Sequence, residues 1–288
     1  MELSNCIICK GTNLKTMPAY SRAFLVKCQS CGLVFGKKNP SPEELTAHYT
    51  NYPRYQSLSA ITEKRYNELL DKFEPYRKNN NLIDLGCSNG LFLECAKKRG
   101  WNVYGTEYAQ ESIDYCAKKD IKVFKSDKLP PEFFKLEFDV VTSFEVIEHI
   151  NTPNPEMDFT KKILRKGGAF YVTTPNFKSI SRLLLKEKWN VIEYPEHLTY
   201  YTAKTLHNLM LKHGFTKQFL ITTGISFLRF NQSRGKEEIN RTLNNNVDEN
   251  LRQSIEKNFL LQWAKNFINF LLNTFKIGDA MKGLYVNS

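Results

Sequence analysis

Leu82-Ile83-Asp84-Leu85-Gly86-Cys87-Ser88-Asn89-Gly90 is the stretch whose reading decides the fold. A short apolar run holding one acid gives way to a turn with two glycines, and an amphipathic helix pattern over 91–98 follows at once. Glycines in such a turn let a ligand approach the backbone closely and let the helix start beneath it.

Outward from this stretch, residues 101–106, 122–124, 138–144 and 169–173 read as further short strands, with helices over 110–119 and 157–164 between them. That alternation predicts a doubly wound α/β fold, a parallel sheet with right-handed crossovers and helices on both faces. A ligand then binds at the carboxyl ends of the strands, near the switch point of the strand order. A nicotinamide or flavin fold has a similar glycine turn. What separates the readings lies downstream, beginning with Val103-Tyr104-Gly105-Thr106-Glu107, which sets a carboxylate about twenty residues beyond the first loop, where ribose hydroxyls can be held.

At these residues the chain resembles the class I S-adenosylmethionine-dependent methyltransferases, whose first motif is an acid followed by Gly-x-Gly-x-Gly. Asp84, Gly86 and Gly90 match, and Ser88 stands in for the middle glycine. The resemblance continues through Phe138-Asp139-Val140-Val141-Thr142-Ser143-Phe144-Glu145-Val146-Ile147-Glu148-His149, then Leu164-Arg165-Lys166-Gly167-Gly168 and Thr174-Pro175-Asn176. It implies a Rossmann-like methyltransferase sheet with S-adenosylmethionine as cofactor. By that resemblance Asp84 orients the methionine end, Gly86, Cys87, Ser88 and Gly90 pass beside it, Glu107 holds the ribose and Asp127 sits near the adenine amino group, with Tyr108, Ser126 and Phe144 also at the cofactor.

Methyl transfer also needs an aligned acceptor atom and often a base. His149 follows the fourth strand and His197 follows the fifth, so both face one cleft. The segment Glu193-Tyr194-Pro195-Glu196-His197 resembles one in bacterial methyltransferases of deoxysugars, which also begin with a zinc-binding cysteine-rich region. This implies His197 as base with Glu196 beside it, Tyr49, Tyr52 and Tyr55 against the substrate, and a sugar or nucleotide-linked sugar of a polysaccharide or glycoconjugate pathway as acceptor. A quinone-type O-methyltransferase is the near alternative, because the Glu148-His149 turn recurs there. An RNA methyltransferase is disfavoured by Ser143-Phe144-Glu145, where amino-directed enzymes carry Asn-Pro-Pro-aromatic. A non-catalytic binding module is disfavoured by the intact Asp84, Gly86, Gly90 and Glu107.

Upstream, Cys6-x2-Cys9 and Cys28-x2-Cys31 stand 18 residues apart. Four thiolates on two turns suit tetrahedral zinc, and such a closed site is structural. The sequence thus divides into a zinc ribbon over 1–38, a helical linker and substrate-facing cap over 39–80, and the cofactor-binding domain over 81–288. A helical insertion falls at about 231–276 within that last domain. Its Trp263, Phe267, Phe270 and Leu271 fit a lid, a dimer face or a peripheral membrane contact, with packing inside the chain as the default.

Forty-one basic against thirty acidic residues give a net charge of +11, which favours anionic partners such as nucleic acid, nucleotide-sugars or an anionic membrane face. No basic run exceeds three, however, and the scatter reads as a solvated surface; the expected partner is a small molecule, with nucleic acid disfavoured. The first apolar stretch is broken by Cys6, Cys9, Lys10 and Gly11, so no signal peptide is expected. The longest C-terminal apolar run is interrupted by Lys265 and several asparagines, short of the roughly 18 residues of a span. The expected location is cytoplasmic.

Overall fold

The computed structural model describes residues 2–41, 43–45, 48, 58–126, 129–225 and 258–288. A small sheet orders β1 (Leu14–Thr16), β2 (Leu25–Cys28), β3 (Val34–Gly36) and β9 (Thr199–Tyr200). The large sheet has seven strands in the spatial order β10 (Phe215–Thr223), β11 (Ala280–Asn287), β8 (Leu164–Pro175), β7 (Phe138–Phe144), β4 (Asn81–Leu85), β5 (Asn102–Glu107) and β6 (Lys122–Lys125). β8, β7, β4, β5 and β6 run parallel, while β11 is antiparallel to both β8 and β10. The doubly wound α/β reading therefore holds.

The described α-helices are α1 (Ala60–Phe73), α2 (Leu91–Lys98), α3 (Gln110–Ala117), α4 (Pro153–Ile163), α5 (Ile180–Leu185), α6 (Ala203–Lys212) and α7 (Phe259–Thr274), with short 3-10 turns between elements. Cover on both faces explains why β4 and β7 are buried almost throughout despite carrying Asp84, Asp139 and Thr142. Local chemistry starts the helices. Ser59 Oγ accepts from the Thr62 N–H at α1, and Thr202 with Thr205 forms a capping box at α6. β5 lies on one side of β4 and β7 on the other, so the crevice of the switch point opens at the carboxyl end of β4.

The cysteine region is built into this body. Cys6, Val26 and Phe35 share one apolar core with Ile83, Val141 and Phe170. Asn154 Nδ2 donates to the Ile7 and Ile8 carbonyls at 3.0 Å each, and Lys212 Nζ donates to Ile8 at 2.8 Å, so α4 and α6 clamp the first cysteine turn. β8 is longer than residues 169–173: it starts at Leu164, whose register partner is Phe138. Arg165 anchors that start on Asp139, which is fully buried and also accepts from the Lys78 and Asn80 N–H groups. Residues 231–257 of the expected insertion lie outside the described residues, and its remainder is α7.

Candidate active site and cysteine cluster

The glycine loop leaves β4 at Leu85 and enters α2 at Gly90. Gly86 (φ +72°) and Gly90 (φ +67°) both take left-handed backbone, and a Cβ on Gly86 would stand 2.7 Å from Val146 Cγ2. Ser88 holds the middle-glycine position at φ +47°, tolerated because its N–H donates to Glu107 Oε2 at 2.8 Å. Glu107 Oε1 accepts from the Tyr108 and Ala109 N–H groups at 2.7 and 3.0 Å. The carboxylate expected at the ribose thus already fixes the loop to the end of β5. Tyr108 stands open to solvent beside it.

Asp84 is buried at the end of β4, where Thr142 Oγ1 donates to its Oδ1 at 2.7 Å. Register pairs these two residues directly across β4 and β7. Burial pushes the Asp84 carboxyl up to about 8; the Thr142 bond opposes the rise and the Glu107 charge adds to it. No cation contributes to its surroundings among the described residues. A buried acid of this kind fits a cationic ligand group, which the methionine ammonium of the cofactor supplies. Phe144 closes one side of the crevice within a cluster of Tyr66, Phe92 and Tyr171. Cys87 is buried beneath the loop, its sulfur 2.5 Å from where a Gly105 Cβ would stand. Ser126 follows β6, with its N–H bonded to the Glu107 carbonyl at 3.0 Å. Asp127 lies outside the described residues, as do Tyr49, Tyr52 and Tyr55.

The turn after β7 leads from the cofactor loop to the histidines. Val146 packs on Gly86, and Glu145 (φ +53°) donates its N–H to the Thr173 carbonyl at 3.1 Å. His149 and His197 come together with ring centroids 4.8 Å apart. His149 Nδ1 lies 2.8 Å from the Glu196 carbonyl and His197 Nδ1 lies 2.7 Å from the Val191 carbonyl. Because a carbonyl only accepts, both Nδ1 atoms carry the proton, and each neutral ring presents Nε2 as its basic nitrogen. Burial holds His149 below the usual imidazole range, against the opposing charge of Glu196. Glu196 Oε1 stands 4.0 Å from His197 Nε2, and its Oε2 stands 3.4 Å from His48 Nε2.

Sequence reading missed His48, and saw Thr142, Val146 and Glu148 only as parts of a motif. Glu148 is buried, accepts from Thr174 Oγ1 at 2.9 Å, and brings a carboxylate oxygen within 4.8 Å of ring nitrogens of His149 and His197. Three such atoms stand close enough to share a proton or to seat one cation. A pattern of strand registers would have pointed to Thr142; nothing local announces the others.

The ribbon supports this segment. Val34 and Phe35 pair with Tyr200 and Thr199, and the Gly36 N–H donates to the Leu198 carbonyl at 2.8 Å. Tyr194, joined to Pro195 by a cis peptide, donates its hydroxyl to Glu44 Oε2 at 3.0 Å. Within the ribbon, Cys6 and Cys31 sulfurs are 3.6 Å apart, Cys9 and Cys28 sulfurs 3.5 Å, and all four lie within 4.8 Å. Zinc–sulfur bonds of about 2.3 Å in a tetrahedron require sulfurs roughly 3.8 Å apart. Each cysteine turn ends on left-handed backbone, at Lys10 and at Gly32. Burial raises the Cys28 thiol, but the Cys31 and Ser30 N–H groups and the neighbouring thiols outweigh it and bring it down to about 6. The cluster is compatible with zinc.

A family model described as a methyltransferase domain matches residues 58–218. The chain belongs to the methyltransferase domain family. Ubiquinone biosynthesis O-methyltransferase of Pelagibacter ubique is 31% identical over 104 residues, 34% of this chain and 43% of that protein. The mitochondrial ubiquinone biosynthesis O-methyltransferase of Dictyostelium discoideum is 30% identical over 132 residues, 39% of this chain and 41% of that protein. The chain spans less than half the length of these two relatives. An S-adenosylmethionine-dependent methyltransferase of Archaeoglobus fulgidus shares the fold with a TM-score of 0.50 at 17% identity, over 78% of this chain and 93% of that one. Geranyl diphosphate C-methyltransferase of Streptomyces coelicolor does so with a TM-score of 0.52 at 11% identity, over 79% of each chain. The methyltransferase domain so matched runs from just before α1 into β10 and takes in the glycine loop and both histidines.

Proposed function

We propose that this chain moves a methyl group from S-adenosylmethionine to a hydroxyl oxygen of a small molecule, a phenol of the quinone-precursor type. The observation that carries the reading is the histidine pair, its Nδ1 atoms tied to carbonyls, one turn away from a glycine loop with a buried acid at its root. When bound, the cofactor supplies an electrophilic methyl on a sulfonium. Asp84 holds its ammonium end, and Glu107 shares its carboxylate between the loop and the ribose. His197 Nε2 takes the hydroxyl proton as the oxygen attacks, and Glu196 stabilises the imidazolium that results. His149, kept neutral by burial, packs against His197 and orients it.

The names of the relatives point to ubiquinone biosynthesis, which moves the acceptor away from the polysaccharide-linked sugar expected from Glu193-Tyr194-Pro195-Glu196-His197. The sugar hydroxyl stays as a second reading because the cysteine cluster accompanies that segment. Zinc belongs to the proposal: Cys6, Cys9, Cys28 and Cys31 would hold it as a closed site that braces β3, and β3 braces the strand after His197.

Separate His197→Asn and His149→Asn variants test the base. Loss of His197 should lower turnover by about 10² to 10⁴ with cofactor affinity nearly unchanged, since the interaction belongs to the transition state. The larger loss falling on His149→Asn would move the role to His149, and no loss from either would remove the base from the mechanism.

A further inference from the structure

Helix α7 is amphipathic the wrong way round for a helix packed on its own sheet. Two of its asparagines face the protein: Asn269 Oδ1 accepts from the Gly224 N–H at 2.9 Å and Asn273 Oδ1 from the Thr222 N–H at 3.1 Å, and beside them the Leu272 carbonyl accepts from Thr222 Oγ1 at 2.8 Å. Its apolar residues face out. Leu272 alone is buried among the residues of α7, whereas Phe259, Leu260, Trp263, Phe267 and Phe270 are each half or more exposed. They recur at three- and four-residue spacing and form one stripe, along which the Trp263 and Phe267 rings stack at 5.7 Å. Placing such a stripe in water forgoes roughly 1.5–3 kcal/mol for each large side chain that burial would gain.

The charge around the stripe identifies what covers it. α7 carries no acid; its Lys265 shares the protein-facing side with Asn269 and Leu272, and Lys276 just beyond it donates to the Leu220 carbonyl and Asn273 Oδ1, so the charge nearest the stripe comes from the neighbouring corner. Lys178 Nζ donates to the Phe275 carbonyl at 3.4 Å, which sets a third lysine at the helix end. The Ile180 N–H bonds the Ile277 carbonyl, so α5 begins at the same corner, and it adds exposed Leu183 and Leu184 ahead of Lys186 and Lys188, with Glu187 between the two lysines. An aromatic and leucine stripe with the exposed Lys178, Lys186 and Lys188 at one end matches the interface of an anionic bilayer, where the rings enter the headgroup boundary and the ammonium groups meet phosphate. A second protein copy would have to bring acids to these lysines, and this chain has an excess of 11 positive charges. The helix has 16 residues and no described helix is long and apolar enough to cross a membrane, so the contact lies on the surface.

We propose that α7 docks the protein on anionic membrane surfaces. The β10 end that α7 packs against lies at the carboxyl edge of β8, through the register of Thr223 with Ala280 and of Ala280 with Pro175. That is the edge on which the cleft opens. An acceptor with an apolar tail would reach the cleft from there, a corollary that rests on the proposed function, whereas the docking does not.

The chain contains its own reporter. Trp101 and Trp189 are buried, so a change in tryptophan emission on adding vesicles reads Trp263. Full-length protein is titrated with vesicles of equimolar phosphatidylcholine and phosphatidylglycerol, and in parallel with phosphatidylcholine alone, with co-flotation as a second readout. A blue shift and flotation with the mixed vesicles, weakened by salt and lowered at least about tenfold by Phe267→Gln with Phe270→Gln, is the expected result. Because both positions are exposed, thermal unfolding of that variant should match the parent. Absence of flotation overturns the proposal, whether Trp263 is shielded from acrylamide in vesicle-free monomer, which assigns the stripe to the chain itself, or a concentration-dependent dimer is lost in the variant, which assigns it to a second copy.

Discussion

Replacing Asp84 by Asn exposes the electrostatic basis of cofactor binding. The change keeps the shape and an oxygen able to accept from Thr142, and removes only the titration. With its carboxyl at about 8, Asp84 of the ligand-free fold is about nine-tenths protonated at pH 7, whereas an ordinary aspartate near 3.8 is ionised. A cationic ammonium placed beside it restores the ionised form, so binding should release close to one proton per cofactor at pH 7. Ionising the acid at that pH costs about 1.4 kcal/mol, a factor of ten in affinity, and affinity should rise about tenfold per pH unit between 6 and 7. The folded value lies above the unfolded one, so the stability due to Asp84 is complete below about pH 4 and is lost as pH rises through 8. Asp84→Asn should therefore flatten the decline of ligand-free stability towards pH 8. It should also weaken cofactor binding by about 10- to 150-fold, the value of a charged hydrogen bond. Calorimetry in buffers of differing ionisation enthalpy counts the proton. Equal binding by both proteins, with no proton released by either, would refute the reasoning.

Two further outcomes follow from the packing around the cleft. Gly86→Ala should cost about 1–2 kcal/mol for its left-handed backbone plus the clash with Val146, lowering both the melting temperature and cofactor affinity; adding Val146→Ala should recover only the part due to the clash. Metal analysis should find one zinc per chain, and Cys28→Ser should abolish it and reduce turnover more than cofactor affinity, because the ribbon touches the His197 side of the cleft through β3 and β9; retained metal in that variant would contradict the four-cysteine assignment.

Much of the cleft was legible because its parts are local. Strand, glycine turn and helix succeed one another within residues 81–98, and α2 and β7 fall on the boundaries that periodicity marked. Four cysteines in two x2 pairs likewise announce their own cluster. What escaped is what depends on distant pairing. The two-residue β9 exists only because Val34 and Phe35 offer it a partner from the far end of the chain, and no propensity signals it. Residues 164–168 fell ahead of the strand expected at 169–173, yet the buried Asp139 gives Arg165 a partner and β8 extends through them. The histidines were visible as candidates, but their tautomers were not, since those are set by backbone carbonyls: that of Glu196, distant in sequence, for His149, and that of Val191, in the loop just before it, for His197. The acceptor was the least legible, because a motif around His197 specifies a base and leaves the substrate open.

Labelled S-adenosylmethionine incubated with catechol-type quinone precursors, nucleotide-sugars and RNA, with the product located by NMR, tests the central claim most directly. The account predicts label on a phenolic oxygen, absent with His197→Asn. Label on a sugar would transfer the acceptor to the second reading, and firm cofactor binding with no acceptor labelled would contradict the assignment of a methyl-transfer enzyme.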